Sequence, residues 1–165
     1  MIPFMKHPLL TPFCLSILTA AAVAFTPSSL RAGAQEEHNK ELVRSWHEDM
    51  LDVEKYGRMD EVFHEDVVVT LSPGRISAVS GTNQVSGLEN LKKHHAIHSK
   101  KYDFDFDIRQ MIAEGDTVIA YMITTHTEDG KKTQYPCAVV CRIEDGKIRE
   151  MTIVRDNLHT VQKSK

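Results

Sequence analysis

Cysteine is scarce in this chain: three residues in 165. Cys14 falls inside an apolar N-terminal run, which leaves Cys137 and Cys141 for the rest. Along one extended strand four residues span roughly 13 Å, whereas a disulfide needs Cα atoms within about 7 Å. The two therefore cannot bridge, and a disulfide framework is excluded; they read as small buried apolar side chains. Positive charge is also short, 20 Lys and Arg against 23 Asp and Glu for a net charge of -3. That balance argues against a phosphate-binding surface, so nucleic acid is not an expected partner. The longest apolar run, Phe13 to Phe25, falls below the ~20 residues of a membrane-spanning helix. No solenoid-length repeat and no low-complexity tract is present. No His-Glu-x-x-His pair exists, since His47-Glu48 and His64-Glu65 lack the second histidine.

What is there begins with Lys6 and His7, the apolar run, and then Ala32-Gly33-Ala34, a small-x-small pattern. That order predicts a secretory signal peptide over residues 1–34, cleaved after Ala34, and a periplasmic or secreted protein with no membrane contact after cleavage. From Gln35 to Lys165 the length suits one domain.

Asn39 is expected to cap a helix carrying Leu42, Val43, Trp46, Met50 and Val53 on one stripe, ending at Tyr56-Gly57. A short helix from Met59 to His64 precedes a β-branched strand, Val67 to Leu71, with Ile76 to Ser80 as a short return strand. Ser86-Gly87-Leu88-Glu89 reads as a capping box opening a third helix through Lys100. Three acidic-glycine turns, at Glu114-Gly115-Asp116, Asp129-Gly130 and Asp145-Gly146, then divide the remainder into four strands. These are Asp103–Ala113, Thr117–Thr127, Thr133–Ile143 and Ile148–Leu158. Helices first and a long meander afterwards is an α+β order. A curved antiparallel sheet wrapping three helices, with a hollow beneath it, is the expected architecture.

Two-residue turns fix register, and register fixes faces. Across the first Asp-Gly turn His126 opposes Thr133, Thr124 opposes Tyr135 and Met122 opposes Cys137. Across the second, Tyr135 opposes Asp156, Cys137 opposes Val154 and Val139 opposes Thr152. One face thus collects His126, Thr124, Tyr135 and Asp156, with Met122, Cys137, Val154 and Val139 beyond, a polar cluster over an apolar floor. The other face holds Ile119, Tyr121, Ile123, Ala138, Val140, Met151 and Ile153, apolar enough to suggest a partner. A bulge would exchange the two faces, and Pro136 interrupts pairing in the third strand. On the third helix Leu88, Leu91, His95 and His98 form one stripe. The two histidines either point into the hollow or belong to a solvated basic helix end. A metal held by His94 with His98, or by His95, His98, His126 and Asp156, is conceivable, but no His-Glu-x-x-His motif supports it and none is expected.

The chain resembles the superfamily of cone-shaped α+β barrels that includes nuclear transport factor 2, ketosteroid isomerase, scytalone dehydratase and SnoaL-type polyketide cyclases. The residues that carry the resemblance are Tyr56 to Phe63 with Asp66-Val67-Val68, Val85 to Leu91, Met111 to Val118, and Arg142 to Ile148 running on to Asp156. Its SnoaL-like branch is the most similar. The resemblance implies a small-molecule ligand, no metal or other cofactor, and a homodimer through the outer sheet face. The isomerase's base position falls near Leu71 or Ser72, and the cyclase His-Trp-Asp triplet aligns with Met151-Thr152-Ile153; only Asp156 carries across.

The expected chemistry is acid–base isomerisation, cyclisation or dehydration of a small apolar-bodied substrate, with His126, Asp156 and Tyr135 catalytic. Trp46, Tyr56, His95, His98, Met122, Thr124, Cys137 and Val154 are the expected substrate contacts. The alternative is a non-catalytic ligand-binding, homodimerising or protein-interaction module.

Overall fold

A computed structural model describes residues 28–50, 58–72, 74–100 and 103–155. Val53, Tyr56 and Asp156, and residues 1–27, therefore lie outside the described residues. Three helices and six strands follow in the order α1 (Ser28–Asp49), α2 (Met59–Val62), β1 (Phe63–Thr70), β2 (Gln84–Ser86), α3 (Leu88–His98), β3 (Asp103–Glu114), β4 (Thr117–Glu128), β5 (Lys131–Glu144) and β6 (Lys147–Arg155). The expected α+β class is what is found. The strands form one curved, unclosed sheet ordered β2-β1-β6-β5-β4-β3. It is mixed rather than wholly antiparallel, because β1 runs parallel to β6.

The Asp-Gly turns behave as their chemistry dictates. Asp129 and Gly130 sit at φ 51° and 76°, Asp145 and Gly146 at 50° and 73°, the doubly left-handed geometry of a primed two-residue turn. From the first of these turns β4 and β5 pair without a slip, from Glu128↔Lys131 to Thr117↔Arg142. Pairing runs straight through Ile123↔Pro136, so Pro136 does not break the ladder as expected.

The second hairpin departs from expectation. It starts in the predicted register, Glu144↔Lys147 and Ile143↔Ile148, then slips so that Arg142 faces Glu150 and Cys137 faces Arg155. Arg149 is the extra residue. It is held outside the ladder by a 2.7 Å contact to His64 Nδ1 and a 3.0 Å ion pair with Asp66 of β1. The guanidinium can only donate, so this imidazole nitrogen accepts and His64 carries its proton on the other nitrogen. One inserted residue inverts every later side chain. Met151 is buried, Ile153 half-buried, and Val154 is 51% exposed. Met151 and Ile153 thus belong to the inner face and Val154 to the outer, the reverse of the sequence reading.

Other local readings need correction. Asn39 is not a cap: α1 starts at Ser28, and Asn39 is fully buried with Nδ2 donating to Gly115 O at 3.0 Å. Glu36 Oε1 accepts from the Gly115 amide at 3.2 Å, so α1 is docked onto the β3–β4 turn. The capping box does not form. Gly87, at φ 82°, occupies the N-cap without a side-chain bond, because its amide is used by Val67 O at 2.8 Å to hold the end of β2 against β1. No strand covers Ile76 to Ser80. The return strand is instead β2, pairing Val69 with Val85. The predicted second helix stops at Val62, and Phe63 begins β1.

The core lies between α1, α3 and the concave sheet face. Val43 and Trp46 of α1, Leu91 of α3, and Val118, Ala120, Met122, Val139 and Cys141 of the meander are all buried there. A bulge at Arg109 in β3 keeps both halves of that strand in phase: Phe106 and Ile108 before it, and Met111 and Ala113 after it, pack on the same core.

Candidate active site

The concave face and the two long helices leave a hollow of about 200 Å³. An apolar cavity of roughly 150 Å³ admits benzene, so this space suits a small organic molecule. Its walls are mostly apolar, among them Phe63, Val69, Phe104, Phe106, Met122 and Ile153. Of the residues expected from sequence, Trp46, His95, His98, Met122, Thr124, His126, Tyr135 and Cys137 all line it. Val154 does not, for the reason given by the Arg149 bulge. Tyr56 and Asp156 lie outside the described residues. The histidines of α3 therefore face inward rather than into solvent.

Alternation on β4 and β5 puts Thr124, His126 and Tyr135 on one patch of wall. Thr124 pairs directly with Tyr135, and His126 is the diagonal neighbour, a relation that spans roughly 7–8 Å. His126 lies nearly parallel to Phe104 of β3, ring centroids 5.6 Å apart, with Phe106 stacked beyond at 6.1 Å. Tyr135 is buried, and desolvation raises its phenol pKa, partly countered by the Arg155 guanidinium. The hydroxyl accordingly remains a proton-bearing donor at neutral pH.

The α3 imidazoles are shaped by burial. His95 stands edge-on to Trp46, centroids 5.2 Å apart; desolvation, aided by the nearby histidines, lowers its pKa to about 3. His94 lies 4.3 Å from His98, centroid to centroid, and desolvation with that neighbour brings it to about 4. Ser77 Oγ, 3.1 Å from His94 Nδ1, already accepts from the amides of Val79 at 3.1 Å and Ser80 at 3.4 Å, which fills both of its lone pairs. Its hydroxyl proton is then directed at Nδ1, which puts the imidazole proton on Nε2. Both rings are neutral at physiological pH.

Sequence reasoning missed several wall residues. His47 is buried with Nδ1 2.7 Å from Val43 O, an acceptor only, so this ring is an Nδ1–H tautomer; burial lowers its pKa. Its spacing of four from Val43 and three from Met50 could have found it. Arg155 and Ile153 reach the hollow only through the bulge. Arg75 reaches it from the loop after β1, where nothing in the sequence set its direction. The cysteines add no nucleophile. Desolvation raises Cys137 to about 11 and Cys141 to about 12, leaving both as thiols. Among the described residues no group of three or more His, Cys, Asp or Glu is placed to hold a metal ion.

The arrangement of fold and hollow has a counterpart in sequence: a SnoaL-like domain matches residues 43–151. The chain belongs to the SnoaL-like family. Among solved structures it is similar to an epoxide hydrolase of the LEH-like type from M. tuberculosis (TM-score 0.64, 15% identity, covering 74% of this chain and 85% of that one). It is also similar to a protein designated a SnoaL-like polyketide cyclase from Jannaschia sp. CCS1 (0.63, 17%, 76% and 90%). A third likeness is to TerC co-crystallised with polyporic acid (0.63, 18%, 74% and 95%). At these identities the likeness is one of fold. Among curated proteins, none matches this chain in sequence. The SnoaL-like hollow of this chain thus stands on its own residues, and its described wall contains no aspartate or glutamate.

Proposed function

We propose that this SnoaL-like protein binds a small apolar-bodied organic molecule in its hollow and moves a proton on it, as an isomerase, cyclase or dehydratase. The observation that carries the reading is the patch made by His126 and Tyr135 on a mostly apolar wall. His126 takes the proton and returns it, since an imidazole changes charge near neutrality. The Tyr135 hydroxyl donates to the oxygen on which an enolate-type charge develops. His94 and His95, neutral where they stand, contribute shape and hydrogen bonding rather than charge. The likeness to cyclases and to a protein crystallised with polyporic acid is consistent with a ring-bearing ligand.

Hydrogen–deuterium exchange tests the reading without knowledge of the physiological substrate. Cyclic β-diketones and cyclic enones are incubated with the protein in heavy water and followed by NMR. The protein accelerates C–H exchange of at least one, and His126→Ala lowers that rate roughly 100-fold or more while its melting temperature stays within a few degrees. Exchange unaffected by His126→Ala removes that residue's role. Saturable binding without exchange favours a second reading, a non-catalytic binding or homodimeric module. The outer sheet face supports it, since Ile112, Ile119, Tyr121 and Val154 are all exposed there.

A further inference from the structure

Two guanidinium groups reach the hollow, and neither meets an acid among the described residues. Arg155 ends β6 on the inner face opposite Cys137, its guanidinium carbon 3.5 Å from the centre of the Tyr135 ring. Its Nε is shut off from solvent and has no hydrogen-bond partner. Arg75 lines the same cavity from an exposed position in the loop after β1. The rest of the fold treats arginine differently. Arg44 pairs with Glu41, Arg58 with Asp49, Arg109 with Asp107, Arg142 with Glu150 and Arg149 with Asp66. Only the two arginines at the cavity lack a carboxylate among the described residues whose side chains are defined.

We propose that Arg155 and Arg75 form an anion-recognising end of the hollow, so that the ligand is an organic anion: a carboxylate or acidic enolate on an apolar ring body. The inference rests on the preceding reading of the hollow as a small-molecule site and names the class of molecule that fits it. A cationic donor sequestered without a partner forgoes hydrogen bonding that water would supply. An oxyanion of the ligand restores it, and a carboxylate does so with two parallel bonds to one guanidinium. The apolar walls raise the strength of that pairing by excluding water. Stacking on Tyr135 fixes the plane of the Arg155 fork and holds it beside the phenol, so one oxyanion can take donors from both. The positive pair also favours negative charge as it develops on a substrate oxygen, which ties recognition to the proposed proton transfer.

Trp46, the single tryptophan of the chain, lines the cavity and reports occupancy by its fluorescence. The full chain is titrated with sodium benzoate and with benzamide, an uncharged molecule of nearly the same shape. Benzoate binds at least about tenfold more tightly, and added sodium chloride weakens benzoate alone. Arg155→Met erases the preference, Arg155→Lys keeps part of it, and Arg75→Gln lowers it less because that side chain is exposed. Equal affinities for the two probes overturn the proposal, as does an Arg155→Met protein of unchanged melting temperature that still prefers benzoate. Should Arg155→Met not fold, the wild-type preference together with Arg155→Lys and Arg75→Gln decides. Benzamide binding without a gain for benzoate sinks the anion site alone; failure of both probes to bind removes the small-molecule reading as well.

Discussion

The β4–β5 and β5–β6 hairpins begin alike and end differently. Both close on Asp-Gly with the same left-handed pair of φ angles, and both start in the register that such a turn imposes. The first keeps that register to the far end of β4. The second loses it within three residues, at Arg149. The lesson is that turn chemistry governs only the pairs nearest the turn. Beyond them, register follows the best burial for the strand as a whole, together with whatever holds a bulge open. In β6 the slip brings Met151 and Ile153 over the core and leaves Glu150, Thr152 and Val154 facing outward, while His64 and Asp66 hold Arg149.

The contrast breaks most severely if a residue beyond the slip is removed. Deleting Thr152 forces a choice between losing the Cys141↔Met151 register and turning Val154 inward with Ile153 and Arg155 outward. The expected outcome is a loss of several kcal/mol or of cooperative unfolding altogether, read by urea denaturation. Deleting Arg149 instead closes the bulge with both faces kept, and a protein that fails to fold on losing Arg149 contradicts its place as the extra residue. A milder pair of substitutions tests the faces directly. Met151→Ala opens a cavity in the core and costs roughly 2–5 kcal/mol, whereas Val154→Ala, on the exposed side, stays within about 0.5 kcal/mol. Reversal of that order restores the uninterrupted hairpin.

Acid acts through the histidines of α3 and leaves Cys137 and Cys141 of β5 as protonated thiols. The folded pKa values of His94 and His95, about 4 and about 3, lie below the value of ~6.5 in an unfolded chain. The unfolded state therefore binds more protons as pH falls below 6.5, and stability declines from there toward pH 4. Melting temperature is expected to drop between pH 7 and pH 5, and His95→Leu should flatten the slope. A profile with no decline in that interval contradicts burial of these rings against the cavity.

The elements most legible in sequence were those specified locally. β-Branched runs, Asp-Gly dipeptides and the Leu42, Val43, Trp46, Met50 stripe sufficed for the meander, two of its turns and the inner face of α1. The β4–β5 register followed from a single turn, and with it Thr124, His126, Tyr135 and Cys137 of the wall. What escaped depends on distant partners. Asn39 looks like a cap until Gly115 is folded back beside it. Ser86 looks like a capping serine until Gly87 is taken by Val67. The β6 slip needs His64 and Asp66, which lie more than eighty positions away. Its functional cost to the sequence reading was a change of sign: an aspartate was expected at the inner end of β6, and the described wall carries an arginine.

The strand order has a consequence for how such a chain comes together. Among the described residues the last strand, β6, is not a border of the sheet but its seam, with β1 on one side and β5 on the other. A growing polypeptide thus holds a finished three-strand meander and a separate N-terminal pair that have no means of joining until β6 emerges. Contacts of such long sequence separation form late and slowly. Removing β6 would not trim an edge; it would leave two half-sheets with exposed flanks, each open to pairing with a neighbour.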